Sequence, residues 1–166
     1  MGATYQDFGG VEGYAYDSFR HMNTKHQPTA LFCNLLNNTT FREQFAAVYC
    51  DYANEVMTAN KASDRVSYYR QNYTELIADS LVRWWGFYGG SVDSNLEYNR
   101  NDYWKKLDKI QTFFSQRAGY TLDDMKEFLR LSGNLQSVTL KTNGNGRIQI
   151  NSITPDCTNG WTGKYY

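Results

Sequence analysis

The feature that most constrains the fold is a change in hydrophobic period near Gly133. Before it, apolar residues recur at intervals of three and four, which is typical of amphipathic helices. After it, apolar and polar residues alternate over residues 138–142 and 148–151, which is typical of half-buried strands. The Asn143-Gly144-Asn145-Gly146 sequence between the two runs tolerates positive φ and predicts a turn. The pattern predicts a mainly α (α+β) fold with a C-terminal β-hairpin.

About five helices are predicted, and local signals place the first three. Pro28 can open a short helix, since it fixes φ and needs no amide partner there. Thr40 and Glu43 form a capping box for the second helix. Ser63 is an N-cap for the third, which Gly86 ends. The stripes predicted to face the core are Phe41, Phe45, Val48, Tyr52 and Val56 in the second helix, and Val66, Tyr69, Tyr73, Leu76, Ile77, Leu81 and Trp84 in the third.

Two further helices are predicted before the period changes. Asn99 or Asn101 caps the fourth, which stops before Gly119, and Thr121 starts the fifth, which Gly133 ends. Their predicted buried faces are Trp104, Leu107, Ile110, Phe113 and Phe114, and then Leu122, Met125, Phe128 and Leu129.

These elements divide the chain into three predicted segments. Residues 1–28 are irregular and rich in Gly and Tyr, and we interpret them as the remnant of a portion of the protein that precedes them. Residues 29–133 form a helical subdomain, and residues 134–166 form the hairpin and a C-terminal tail. At 166 residues, the chain is long enough to fold as one globular domain.

Charge and hydropathy argue against two classes of partner. Seventeen basic residues balance seventeen acidic ones, so no net charge attracts the chain to nucleic acid. No stretch approaches the roughly 20 apolar residues of a membrane span, and the start of the chain lacks the regions of a signal peptide. We therefore expect neither a nucleic-acid partner nor a membrane partner.

Three cysteines lack the spacing of a metal or redox site. Cys33, Cys50 and Cys157 contain no CxxC pair, and the first two lie on apolar helical faces. They are predicted to be buried, unreactive thiols.

Other motifs of catalysis or metal binding are weak. His21 and His26 are five residues apart, with no ligand cluster beside them. Asp7-Phe8-Gly9 spells the kinase metal-loop tripeptide, but neither an HRD loop nor a lysine-bearing strand precedes it, so an irregular turn is favoured. Neither GxxxxGK[ST] nor GxSxG occurs. The residues thus predict no catalytic, cofactor-binding or metal site.

Two surface features remain as candidates. Asp123, Asp124 and Glu127 fall in the first turns of the predicted last helix, where solvated negative charge stabilises the helix dipole. A dense aromatic run either joins a core or interface, or forms a binding patch that stacks on sugars or peptides. That possible binding patch consists of Trp84, Trp85, Phe87 and Tyr88.

Several short patterns occur in a distinctive order. Leu35-Leu36-Asn37 is followed by Phe41-Arg42 and Phe45, and the chain closes with Trp161, Gly163 and Tyr165. With the helix from Trp104 to Arg117 and the helix running into Gly133, this order resembles the C-terminal portion of the CotH (spore-coat protein H) kinase family, over about residues 30–166.

The resemblance implies a bacterial, secreted, cell-surface or spore-coat protein that uses ATP and Mg to phosphorylate proteins. The family's proposed catalytic Asp, its nearby Asn and its metal motif precede the matching region, so the resemblance assigns no catalytic or cofactor-binding residue here. It implies that this chain is inactive alone and packs against an N-terminal ATP-binding portion. The alternative is a noncatalytic extracellular module that binds carbohydrate or a cell-surface partner through exposed aromatic residues.

Overall fold

A computed structural model describes residues 13–25, 27–84 and 95–166 of the chain. These residues are mainly helical, with a two-stranded antiparallel sheet near the C-terminus, which confirms the predicted fold class. In chain order the elements are a 3₁₀ turn (Gly13–Ala15), α1 (Gln27–Leu35), α2 (Thr39–Asp51), a π-helical turn (Tyr52–Val56), α3 (Ala59–Arg83), α4 (Leu96–Leu129), β1 (Gln136–Leu140) and β2 (Trp161–Tyr165).

The described residues contain four α-helices, because the predicted fourth and fifth helices are one continuous helix, α4. Gly119 lies within it, and a methyl group added there would meet no atom within 4 Å. Glycine in a helix interior lowers stability by only about 1 kcal/mol, and the packing of the helical segments before and after it can outweigh this cost. The cap is Asn95, whose Oδ1 accepts from the Tyr98 amide at 3.0 Å. The predicted caps Asn99 and Asn101 are therefore wrong.

The N-cap of α2 lies two residues before Thr40, the N-cap of the predicted capping box. Asn38 is the N-cap, and its Oδ1 accepts from the Phe41 amide at 3.1 Å. The buried face also differs, because Val48, Tyr52 and Val56 are exposed. Small side chains are buried instead, since they let neighbouring backbones approach closely, and a count of large apolar residues overlooks them. The residues of this segment below 5% exposure are Cys50, Asp51 and Ala53.

In α3, as in α2, small side chains are buried while several large side chains of the predicted stripe are exposed. Its buried residues are Val66, Thr74 and Ala78, whereas Leu76 of the predicted stripe is 64% exposed. Thr74 Oγ1 accepts a hydrogen bond from the Trp104 indole at 2.9 Å, so a polar residue joins this helix to α4. Tyr69, Tyr73 and Trp84 of the predicted stripe are also substantially exposed.

The sheet is antiparallel, but its pairing differs from the predicted hairpin. β1 pairs with β2, with Val138 opposite Gly163 and Leu140 opposite Trp161. Residues 148–151 contribute only an isolated bridge between Ile150 and Ile153. The predicted partner strand is therefore wrong, because an alternating pattern indicates a half-buried strand but does not identify the strand with which it pairs.

The described chain divides into two compact units. The first contains residues 13–14, 59–84 and 95–116, and the second contains residues 15–25, 27–58 and 117–166. The core of the second unit joins an N-terminal aromatic residue, the end of α2 and the last three turns of α4. Its buried members are Phe19, Cys50, Ala53, Leu122, Met125 and Leu129.

Candidate functional site

The most distinctive polar site in the second unit is centred on Asp51, the last residue of α2, whose exposure is 0%. Its Oδ2 accepts from the backbone amide of Ser152 at 2.8 Å and from the hydroxyl of the same residue at 2.6 Å. Its Oδ1 accepts from the Tyr165 hydroxyl at 2.7 Å and from Asn151 Nδ2 at 3.2 Å. One helical carboxylate thus holds both the 151–152 turn and β2.

Two further side chains extend this attachment to β2. Asn54 forms a two-way pair with the backbone of Lys164, donating to its carbonyl at 2.8 Å and accepting from its amide at 2.9 Å. Glu55 Oε2 accepts from the Trp161 indole at 3.2 Å. Positions 51, 54 and 55 are spaced by three and four, so they share one face of the chain as it passes from α2 into the π-helical turn. We call Asp51, Asn54 and Glu55 the strand anchor.

The strand anchor controls the ionisation of the groups it joins. Burial opposes ionisation of Asp51, but the hydrogen bonds from Ser152, Tyr165 and Asn151 outweigh it and lower the pKa of this carboxyl. Burial and the neighbouring Asp51 carboxylate together raise the pKa of the Tyr165 phenol. Asp51 is therefore ionised, and Tyr165 remains a hydrogen-bond donor at neutral pH.

The hydrogen bonds that Asp51 accepts limit the chemistry that its carboxylate can perform. A carboxylate offers about four lone-pair positions, and four donors from the protein occupy those of Asp51. No lone pair is left to accept a proton from a substrate or to bind a metal ion. The geometry gives this acid a structural role.

A second acidic cluster is different, because one of its oxygens has no hydrogen bond. Asp124 lies in α4, and its Oδ2 is buried without a hydrogen-bond partner. Arg117 Nη1 is 3.8 Å from that oxygen, but it donates to the Tyr16 carbonyl at 2.7 Å. The prediction that Asp124 is a solvated first-turn residue is therefore wrong, because α4 begins at Leu96 and its last turns enter the core.

The charges around Asp124 have opposing effects on its proton. Burial, and after it the negative charge of Asp17, raise the pKa of Asp124 to about 6 against the lowering effect of Arg117. Asp123 and Glu127 contribute further negative charge. Asp124 can therefore titrate just below neutral pH, unlike Asp51.

The predicted binding patch is described only in part. Trp84 is 51% exposed, and the Arg83 guanidinium lies 5.5 Å from the centroid of its ring. Trp85, Phe87 and Tyr88 lie outside the described residues, as does the Asp7-Phe8-Gly9 tripeptide. The patch therefore remains a prediction.

The cysteines and histidines occupy simple environments. Cys33, Cys50 and Cys157 are free thiols, of which the last two are buried and Cys33 is half-buried. His21 Nε2 lies within hydrogen-bond distance of the Tyr16 hydroxyl, at 3.1 Å, while His26 lies outside the described residues. In the described ranges, no group of three or more His, Cys, Asp or Glu side chains is arranged to hold a metal ion.

Sequence reasoning missed the most important residue of this site. Asp51 interrupts the apolar face of α2 beside Cys50, and a charged residue inside a buried face is a signal of a paired or hydrogen-bonded group. Its partners at positions 151, 152 and 165 are about 100 residues away in the chain, so no local pattern identifies them.

Comparisons with other proteins add no assignment. Among the described helices we find no segment with the length and apolar character of a membrane span. No protein-family model, curated protein or solved structure matches this chain.

Proposed function

We propose that this chain is the helical C-terminal portion of a CotH-like protein kinase, in which it is a noncatalytic support. In the intact protein, an N-terminal portion would bind ATP and Mg and phosphorylate a secreted or spore-coat protein. The portion described here would stabilise that nucleotide-binding portion and shape the surface that receives the protein substrate. The protein would act outside the cell, at the cell surface or on the spore coat.

The observation that carries a noncatalytic role is the saturation of Asp51. Phosphoryl transfer needs carboxylates that are free to hold magnesium and to position the nucleophile. The most buried carboxylate of the described chain instead accepts four hydrogen bonds from the C-terminal segment. Its geometry is that of a group that joins two parts of a fold.

The positions of the residues behind the resemblance also support the proposal. Leu36 and Phe45 come from the first part of the pattern and Tyr165 from its closing part, and all three pack against the same buried cluster. Residues from both parts of the pattern therefore help to build one packed unit. This agrees with a supporting portion whose sequence is constrained by packing.

The test is calorimetric titration of ATP with magnesium into this chain, alongside a transfer assay with labelled ATP. We expect neither binding nor phosphoryl transfer by the chain alone, and binding by a longer product that includes an upstream ATP-binding portion. Asp124→Asn is the matched variant, because Asp124 has a buried oxygen without a hydrogen bond. Stoichiometric micromolar binding by the chain, lost in Asp124→Asn, would show that the chain carries its own nucleotide site.

A second candidate is glycan binding by exposed aromatic residues. Tyr68, Tyr69 and Tyr73 lie on α3 with ring centroids 5.4 to 6.0 Å apart, and each is at least 37% exposed. Flat aromatic faces with hydroxyl groups can stack on sugar rings and donate hydrogen bonds to them.

Titration of soluble glycans, followed by intrinsic fluorescence, tests this candidate. Specific binding should weaken in Tyr73→Ala or Trp84→Ala and persist in Tyr120→Ala, an exposed tyrosine outside this cluster. A complete absence of saturable binding across the glycans would eliminate it.

A further inference from the structure

A groove of about 530 Å³ lies in the second unit, between the first turns of α2, the end of α4 and the 150–151 turn. Its lining is mixed: Ala46 and Leu131 provide apolar surface, whereas Ser132 and Asn151 provide polar groups. Arg42 and Arg130 also line it. Within the described part of the chain, neither arginine forms an ion pair with an acidic side chain.

Arg130 occupies a backbone position that suits glycine. It follows the last residue of α4 with φ of +52°, in the left-handed region. The Leu131 amide donates to the Lys126 carbonyl at 3.0 Å, and the Arg130 amide donates to the Glu127 carbonyl at 3.1 Å, which is the Schellman ending of a helix. A side chain in this conformation costs on the order of 1–2 kcal/mol. The helix dipole favours a cation here, but it does not require a residue with a side chain at this φ.

Arg42 is also poorly placed by local criteria. It lies at the end of the first turn of α2, which contains no acidic residue, and positive charge near a helix N-terminus opposes the dipole. Asn151, with φ of +45°, is the other described nonglycine residue with positive φ, and it lines the same groove. Strained backbone positions concentrate at ligand-binding sites. Asparagine adopts this conformation more readily than arginine does, so the locally unfavourable residues that line the groove are Arg42 and Arg130.

An anion in the groove would supply the charge partner that both arginines lack among the described acidic side chains. It would neutralise both guanidinium groups, which are suited to carboxylate and phosphate oxygens. Glu43 also lines the groove and offsets part of the positive charge of the two arginines.

We propose that this groove binds one small oxyanion, either a phosphate or the carboxylate of a compound with a short apolar stem, through Arg42 and Arg130. The apolar surface from Ala46 and Leu131 would contact the stem of the carboxylate. This proposal does not depend on the chain belonging to a kinase.

The test is a two-dimensional NMR titration of the whole chain with inorganic phosphate and, separately, with hexanoate, each against sodium chloride at equal ionic strength. We expect saturable shifts of the amides of Arg130, Ser132 and Asn151, with dissociation constants on the order of millimolar for such small probes. Tighter binding of phosphate identifies a phosphoryl group as the preferred ligand. Tighter binding of hexanoate identifies a carboxylate with an apolar stem. Absence of saturable shifts with both probes overturns the proposal.

Two variants and a control show whether the arginines carry the binding. Arg42→Gln and Arg130→Gly should each weaken binding at least tenfold, whereas Arg65→Gln, an exposed arginine of the first unit, should leave it unchanged. Arg130→Gly should also lower the unfolding equilibrium constant without ligand by about fivefold, because glycine removes the strain. A more stable Arg130→Gly variant that still binds the probes would refute the role of this arginine, and a destabilised one would refute the strain argument.

Discussion

Removing the Asp51 carboxylate tests how the second unit is held together. In Asp51→Ala, the hydroxyl of Tyr165, both donors of Ser152 and the amide of Asn151 lose their acceptor inside the protein. A hydrogen bond to a charged group contributes about 1.5–3 kcal/mol, but these four share one acceptor and are not additive. We therefore expect a loss of about 3–5 kcal/mol, a large part of the roughly 5–15 kcal/mol that stabilises a typical domain.

The assay is urea unfolding, combined with the reactivity of the Cys50 thiol. Cys50 is 1% exposed and adjacent to Asp51, so its labelling reports opening of this core directly. The half-buried Cys33 is replaced by serine in every variant, and peptide mapping separates the label on Cys50 from that on the buried Cys157. We expect Asp51→Ala to lower the melting temperature by roughly 10 °C and to increase Cys50 labelling by two orders of magnitude or more.

The matched control is Asp108→Asn, which removes a carboxylate that is 62% exposed and paired with Arg70. An exposed ion pair contributes about 1 kcal/mol or less, so this variant should unfold almost as the wild type does. If Asp51→Ala and Asp108→Asn lose the same small amount of stability, the reasoning about the buried carboxylate is refuted.

Three other perturbations test separate parts of the structure. Burial and the nearby negative charge of Asp17 raise the pKa of Asp124 to about 6, so the folded chain binds this proton more tightly than the unfolded chain does. The stabilisation from this group is therefore complete below about pH 4 and is lost as the pH rises through 6. Asp124→Asn should flatten the change in urea midpoint between pH 5 and 7.5; an unaltered slope would contradict this. Gly119→Ala should stabilise the chain by about 0.5–1 kcal/mol in the same unfolding assay, because the site is inside α4 with open space around it, and destabilisation would argue against a continuous helix. Gly163→Ala should lower the free energy of unfolding by about 1–2 kcal/mol, because the new Cβ would overlap the Trp161 ring, which Glu55 holds by a hydrogen bond. Tryptophan fluorescence should show the displaced indole, and an unchanged spectrum would count against the clash.

The aromatic and acidic residues show where sequence reasoning about the candidate site succeeded and failed. Burial of Leu122, Met125 and Leu129 was predicted correctly, because their spacing defines one face of a helix whatever surrounds it. The environment of Asp124 was predicted wrongly, because α4 extends back to Leu96 and places this residue in the final turns instead of the first. Exposure of Tyr73 was also missed, since helical spacing does not show which side is covered.

The sequence by itself determined the local conformations: helices before Gly133, extended chain after it, and a helix opened at Pro28. These depend on interactions between residues a few positions apart, which spacing and turn chemistry record. Only the tertiary structure decided that β1 pairs with β2, that Asp51 accepts hydrogen bonds from residues about 100 positions away, and that Arg42 and Arg130 line one groove. The physical reason is that pairing, burial and ionisation depend on groups brought together by the whole fold, and one segment of sequence does not contain them.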